Sequence, residues 1–257
     1  MSVAPTVDDH ARPYPWRQFA ILAVAGWLGA LAVIPYELAL LPGAPHAPPL
    51  ALLVLSGALN GAVEMAVAAG VGLLAARAVG LRAPVSEALA SGGDVGAAVR
   101  GLRPWLAAAL GGGASLLIVA LDATVFRSVG RAMAANGVPT PARAVGLLAS
   151  FEGGITEEIL LRLLVMSVLV WLLTRIWRPT AAVFWAANIA AAVLFGLGHL
   201  PATAALVAIT PFVVTRAVVL NGVLGVVAGW LYWRRGLESA MIAHFTGDLV
   251  LHVVLGG

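Results

Sequence analysis

The chain has 257 residues, of which 61% are hydrophobic and 11% charged, with a formal net charge of +3. Soluble globular domains have about 45–50% apolar and about 25% charged residues. The composition therefore excludes a soluble domain and predicts an integral membrane protein. Cysteine is absent, so disulfides and thiolate metal ligands are excluded. All fifteen basic residues are arginines, and they are expected to mark membrane topology rather than nucleic-acid binding.

The apolar runs predict one all-α fold, a polytopic transmembrane helix bundle of about seven to eight spans, because each crossing of the hydrocarbon needs about 20 helical residues. Two runs are too long for one upright crossing. We expect the first to break at Gly153-Gly154, and the second, which contains Pro211, to divide into a short and a full helix. The predicted spans are 17–42, 50–78, 104–126, 144–176, 180–199, 202–233 and 237–255.

Three regions follow from these runs. Residues 1–16 form a polar N-terminal segment, 17–126 form N-terminal transmembrane helices with a cytoplasmic loop or surface-lying helix at 78–103, and 144–255 form the C-terminal transmembrane helices. Most arginines fit a cytoplasmic N-terminus, and the arginine-free linker 41–50 should face the other side. The arginines that do not fit are Arg127, Arg131 and Arg143. The expected location is a bacterial plasma membrane.

Ionisable side chains inside the spans indicate function, because a charge at the bilayer centre costs about 2.5–3.5 kcal/mol on insertion scales. They are Glu37, Glu64, Asp122, Glu152, Glu157, Glu158, Arg162, His199, Arg216, His244, Asp248 and His252. Glu64 shares its span with Ser56 and Asn60, which favours an interhelical hydrogen-bond seam. Glu37, Asp122, Glu152 and His252 receive no role.

The stretch TEEILLR, residues 156–162, contains the densest group of charges. At 3.6 residues per turn, Glu158 and Arg162 lie on one face and should pair. Glu157 is about 140° round the helix from Arg162 and has no partner on its own helix. A solvated helix end is the alternative interpretation.

Two later stretches contain histidines at helical spacing. FGLGHL places Phe195 and His199 one turn apart, and AHFTGDLVLH places His244, Asp248 and His252 on one stripe. Alone, the first could be an interfacial anchor and the second a hydrogen-bonded helix seam. Together with Glu157 they could activate a water molecule and stabilise an oxyanion.

This series resembles the CPBP family of intramembrane proteases, also called the abortive-infection or CAAX-processing family. The resemblance rests on Glu157-Glu158-x-x-x-Arg162, Phe195-x-x-x-His199 and His244-x-x-x-Asp248, in this order, and covers roughly residues 144–255. It implies that 144–255 form the catalytic transmembrane helices, and that Glu157 is the water-activating base with His199 as its partner. His244 and Asp248 would hold the substrate carbonyl, and Glu158 with Arg162 would be a structural pair.

One departure and one question accompany the resemblance. Family members often carry Asn where this chain has Asp248. An ionised Asp248 could not donate a hydrogen bond to an oxyanion. Asp248 would therefore have to be protonated, or would instead orient His244 or bind a metal ion. Glu157, His199, His244 and Asp248 could ligate Zn²⁺ or another divalent metal ion, or could work without one.

Three functions are compatible with the sequence. The first is an endopeptidase that cleaves a membrane-associated, CAAX-like or bacteriocin-like substrate in contact with the lipid bilayer, with no nucleic-acid partner. The second is a non-catalytic self-immunity or partner-binding protein on the same scaffold. The third is an ion-coupled transporter, which the lack of a repeated broken helix makes the weakest.

Overall fold

A computed structural model of the chain describes residues 14–40 and 49–256. The predicted N-terminal polar segment and the predicted linker at 41–50 lie almost entirely outside these residues. Within the described ranges the chain is helical and contains no β-strand. The prediction of an all-α bundle is therefore confirmed.

The N-terminal half begins with two helices that follow one another almost directly, α1 (Trp16–Ala32) and α2 (Ile34–Leu40). Pro35 in the first turn of α2 lacks a backbone N–H and explains the interruption at Val33. Two long apolar helices follow, α3 (Leu50–Ala78) and α6 (Pro104–Thr124).

Residues 78–103 are mostly helical, which agrees with the helical one of the two interpretations of this stretch. They contain α4 (Pro84–Ser91) and α5 (Val95–Leu102), and the Asp94 side chain caps α5 by accepting a hydrogen bond from the Ala97 backbone N–H at 2.8 Å. A further short helix, α7 (Arg127–Ala135), follows α6 and buries only Val129 among its residues.

The C-terminal half starts with one uninterrupted helix over residues 143–174, which we call the glutamate helix. It consists of α8 (Arg143–Phe151), two π-helical segments (Glu152–Glu157 and Ile159–Met166) and α9 (Ser167–Thr174). The predicted break at Gly153-Gly154 is wrong. These glycines instead allow close packing, because a Cβ at Gly154 would lie 3.1 Å from the Phe245 Cα.

Three more long segments complete the bundle. They are α10 (Ala181–Gly198), α12 (Pro211–Arg235) and a final helix over residues 237–254, formed by α13 (Leu237–Asp248) and a π-helical end. The predicted run 202–233 divides as expected. The short α11 (Leu200–Ala204) precedes α12, whose start is fixed by Pro211 and by the Thr210 side chain, which accepts from the Val213 N–H.

Five stretches of the described chain are long and apolar enough to cross a membrane, namely Trp16–Leu40, Leu50–Ala78, Val95–Thr124, Ala181–Ala204 and Pro211–Arg235. The predicted seven to eight spans also counted the glutamate helix and the final helix. Both contain π-helical segments, which the other five stretches do not.

The bundle has an arginine-rich end and an arginine-poor end. At the arginine-rich end, the turn between α12 and α13 meets the connection before α4 through a hydrogen bond from Leu237 N–H to Arg82 O, 3.0 Å. At the other end, Arg143 donates to Gly256 O at 3.0 Å and Asn136 donates to Leu206 O at 2.9 Å. The arginines at the first end are Arg17, Arg77, Arg82, Arg100, Arg103, Arg175, Arg178, Arg234 and Arg235.

The arginines that disagreed with the predicted topology lie at the arginine-poor end. Arg127 and Arg131 are exposed on α7, and Arg143 is exposed at the start of the glutamate helix. The imbalance between the two ends still predicts that the arginine-rich end is cytoplasmic.

Asp122 and Arg216 form an ion pair between α6 and α12, with both carboxylate oxygens bound at 2.7 and 2.8 Å. Glu64 behaves differently. Glu64, Asn60 and Ser56 are all exposed on α3, so the predicted interhelical seam is not formed within the described chain.

Candidate active site

Three helices position the six side chains that were predicted from the sequence as site residues. Glu157 and Arg162 lie in the two π-helical segments of the glutamate helix, with Glu158 between these segments, whereas His244 and Asp248 lie on α13. His199 follows the last residue of α10, where Pro201 in the first turn of α11 prevents a simple continuation. Its side chain is therefore 38% exposed at a helix junction.

The Glu157 carboxylate lies between two imidazoles. Its Oε1 is 3.7 Å from His199 Nε2, and its Oε2 is 3.5 Å from His244 Nε2. The Glu157 side chain is 18% exposed, so it is reachable from outside the core. These three side chains come from three different helices and meet at one place.

Both imidazoles are oriented by their other ring nitrogen. His199 Nδ1 is 2.9 Å from the Phe195 carbonyl, and His244 Nδ1 is 2.7 Å from Glu158 Oε1. Because a carbonyl or a carboxylate only accepts, both Nδ1 atoms carry a proton and donate it. Both Nε2 atoms are thereby directed at Glu157.

Glu158 connects His244 to Arg162. Glu158 Oε2 lies 3.3 Å from Arg162 Nε, and both side chains are almost completely buried. The three guanidinium nitrogens have no acceptor in hydrogen-bond geometry among the described residues. The contact is thus an ion pair that lacks hydrogen-bond geometry. Because both charges are buried, removal of either partner is costly.

The Phe195 ring contacts both histidines and the arginine. Its centroid lies 4.8 Å from the His199 ring and 5.6 Å from the His244 ring, both edge-on, and 5.7 Å from Arg162 Cζ. A cation over an aromatic face is stabilised by the ring quadrupole. Phe195 is therefore the packing centre of the cluster.

Asp248 lies beside His244 and is held close to the glutamate helix. Its Oδ1 is 3.8 Å from His244 Nε2. A Cβ at Gly153 would collide with Asp248 Oδ2 and would lie 3.2 Å from His244 Nε2. Only glycine leaves room at this position.

The residue types suit a zinc ion, but their arrangement does not. Zinc ligands lie about 2.0–2.2 Å from a common point. Among the residues that the structure describes, no group of three or more His, Asp or Glu side chains is arranged to hold a metal ion. No reaction step is therefore derived through a metal.

The sequence did not single out a second set of polar groups next to the cluster. Glu152 precedes Glu157 by five residues, and the π-helical turn places residues with this spacing on one face, which a regular α-helix does not. Tyr36 Oη lies 3.5 Å from His252 Nδ1, on the arginine-poor side of Asp248. No sequence pattern predicts the π-helix, and residue spacing alone therefore does not group Glu152 with Glu157.

Comparison with known proteins identifies this part of the chain. Residues 139–250 match the family model described as Rce1-like, type II CAAX prenyl endopeptidase Rce1-like. This match covers somewhat less than half of the chain, and it shows that the C-terminal part is similar to the Rce1-like family. The match contains all six predicted site residues and overlaps the predicted catalytic region 144–255. No curated protein and no solved structure matches the chain significantly.

The family match and the fold support a function at a coarse level. The matching family model describes an endopeptidase, and five stretches of the described chain are long and apolar enough to cross a bilayer. These observations support an intramembrane endopeptidase at the level of the family.

Proposed function

We propose that the chain hydrolyses a peptide bond near the C-terminus of a membrane-associated, CAAX-like substrate, with Glu157 as the general base. The observation that carries this proposal is the placement of Glu157 between the Nε2 atoms of His199 and His244, at 3.7 and 3.5 Å. The substrate class follows the description of the matching family. We also propose that the protein resides in a bacterial plasma membrane, as expected from the sequence.

The protonation pattern favours a water molecule between Glu157 and His199. His199 Nδ1 is used as a donor to Phe195 O, so Nε2 of the neutral ring is an acceptor that faces an acceptor carboxylate. Two acceptors 3.7 Å apart attract each other only through a donor between them. A water molecule supplies two such protons and becomes the nucleophile.

The reaction then proceeds with one proton transferred in each direction. Glu157 takes a proton from the water as its oxygen attacks the substrate carbonyl carbon, and a tetrahedral oxyanion forms. Glu157 returns this proton to the leaving amine nitrogen as the C–N bond breaks. The products are a carboxylic acid and an amine.

His244 stabilises the oxyanion if it carries both protons, with Nε2–H as the donor. Glu158 at 2.7 Å and Asp248 at 3.8 Å provide negative charge beside this imidazolium. In this assignment an ionised Asp248 is useful as a charge partner of His244, and it need not donate a hydrogen bond itself. Glu158 and Arg162 position His244 and do not contact the substrate.

The decisive test is Glu157→Gln, which keeps the size of the side chain and removes the proton acceptor. We expect cleavage of a farnesylated CAAX peptide to fall by about 10²–10⁴-fold in single-turnover assays, with an unchanged elution volume and melting curve. Glu64→Gln is the matched control, because it changes a carboxylate on the surface of α3, and it should retain cleavage.

Two results would contradict the proposal. Equal cleavage by Glu157→Gln and the parent eliminates Glu157 as the base. A loss of cleavage that only parallels a loss of melting temperature shows that Glu157 holds the helices together, as in the non-catalytic alternative.

A further inference from the structure

Helix α3 carries an exposed stripe that runs along the whole span. The exposed face of α3 is broad and also includes Leu59 and Val63. Within it, a subset of exposed residues at alternating intervals of four and three positions has the heptad spacing of a helix that packs against another helix. We call these residues the α3 stripe: Leu53, Gly57, Asn60, Glu64, Val67, Val71 and Leu74. Val67, Val71 and Leu74 are 52%, 46% and 56% exposed.

The stripe is distinct from the face of α3 that packs within the chain. Gly61, Met65, Ala68 and Ala69 are buried on the inner face. A Cβ at Gly61 would lie 3.2 Å from Ala30 of α1. The packing of α3 in the described chain therefore leaves the stripe uncovered.

Two polar residues occupy the middle of the stripe. Glu64 lies fourteen residues from each end of α3 (Leu50–Ala78), and therefore near the centre of the hydrocarbon, one turn after Asn60. Neither side chain has a hydrogen bond or an ion pair with another part of the chain that the structure describes. A carboxylate exposed to lipid at this depth is costly, and such residues almost always face another helix or water.

We propose that the α3 stripe is a dimer interface and that its occupant is α3 of a second copy of the chain. Two copies inserted with the same topology place their α3 helices parallel around a two-fold axis, where the same patch meets itself. Parallel membrane helices with this spacing cross at about +20°. The valines and leucines of the two stripes then interdigitate.

The polar pair makes the stripe self-complementary. The Asn60 amide of each copy can donate to the Glu64 carboxylate of the other, so both acceptors gain a donor by the same symmetry operation. A helix that offered only apolar side chains would leave Glu64 desolvated without a donor. Polar residues at one or two heptad positions also fix the register of such pairs.

The absence of cysteine from the chain permits a direct test with single-cysteine variants in proteoliposomes. Val67→Cys lies on the stripe. Leu55→Cys is the matched control, since Leu55 is 56% exposed but lies on another side of the helix at about 100° per residue. Under oxidation, Val67→Cys should form a disulfide-linked dimer of the full chain, and Leu55→Cys should not.

A second measurement separates the polar pair from the apolar residues. Fluorescence energy transfer between labelled copies, measured over a series of lipid-to-protein ratios, gives the dissociation constant in the bilayer. Glu64→Leu should weaken dimerisation by roughly 3- to 30-fold, whereas Glu64→Gln, which retains hydrogen bonding, should weaken it less.

Equal cross-linking at Val67→Cys and Leu55→Cys would show random collision and overturn the proposal. The absence of any disulfide-linked Val67→Cys dimer would show that the stripe does not meet a second copy, and it would also overturn the proposal. Neither measurement depends on peptide cleavage, so a failure here is distinguishable from a failure of the proposed endopeptidase.

Discussion

Two carboxylates that the sequence places inside apolar helices end in opposite environments. Glu158 is almost completely buried and contacts both His244 and Arg162, whereas Glu64 is exposed on α3 and has no partner in the described chain. Both carry the same insertion cost on a hydropathy scale. The scale therefore finds such residues but does not say how their cost is offset.

The C-terminal helices offset this cost by convergence. Glu157, Glu158 and Asp248 surround His244, and Arg162 neutralises Glu158. The N-terminal helices contain no comparable cluster among their described residues, and Glu64 is left for an external partner. The proposed catalysis and the proposed association thus use the same residue type in different surroundings, and the following substitutions distinguish the two.

The largest effect on stability is expected from Arg162→Ala. Removal of one member of a buried ion pair leaves the other charge uncompensated, which typically costs about 3–5 kcal/mol. The melting temperature in detergent and the yield of folded protein should both fall sharply. A stable Arg162→Ala protein combined with a collapsed Glu157→Ala protein would reverse the roles assigned to Glu157 and Glu158.

The double variant Glu158→Gln with Arg162→Met is the control for this interpretation. It removes both charges, so its loss of stability should be smaller than the sum of the two single losses. An additive result would mean that the two side chains act independently despite the 3.3 Å contact.

The second effect concerns the glycine beneath the cluster. Gly153→Ala places a methyl group against the Asp248 carboxylate and near His244, and overpacking of this kind costs about 1–3 kcal/mol. The cleavage rate should fall by more than the loss of folded protein explains, because His244 must move. Gly222→Ala is the matched control, because a Cβ there meets nothing within 4 Å.

Much of the site could be predicted from spacing alone. The i, i+4 relation of Glu158 and Arg162 places them together even though the helix is π-helical there, because the side chains are long enough to tolerate the change of pitch. The same assumption of a regular helix offered no reason to group Glu152 with Glu157. Sequence spacing gives neighbours only when the turn geometry is known.

The predicted break at Gly153-Gly154 was wrong for a related reason. Adjacent glycines lower helix propensity, but here the absence of side chains lets α13 approach closely at Phe245 and Asp248. Tertiary packing outweighed local propensity. The seam predicted at Glu64 required a neighbouring helix, and residues 14–40 and 49–256 of one chain do not provide it.

A third prediction concerns Asp122 and Arg216, which are intermediate between the two extremes. Their side chains are 33% and 20% exposed, so solvent and headgroups screen the pair. A double-mutant cycle with Asp122→Asn and Arg216→Gln should give a coupling free energy of roughly 0.5–1 kcal/mol, measured by unfolding in detergent. A coupling free energy larger than that between Glu158 and Arg162 would contradict the expectation that the more buried ion pair is the more strongly coupled.

The smallest effect is expected from Glu64→Leu in detergent that keeps the protein monomeric. An exposed residue without intramolecular partners changes stability by at most about 0.5 kcal/mol, so the melting curve should match that of the parent. The same substitution should weaken dimerisation in a bilayer, where lipid replaces the detergent and water around α3. A large loss of monomer stability would mean that Glu64 has an intramolecular role, and it would remove the contrast with Glu158. Unchanged monomer stability together with weakened dimerisation would show that contacts between chains, rather than within one chain, offset the cost of placing this carboxylate in the membrane.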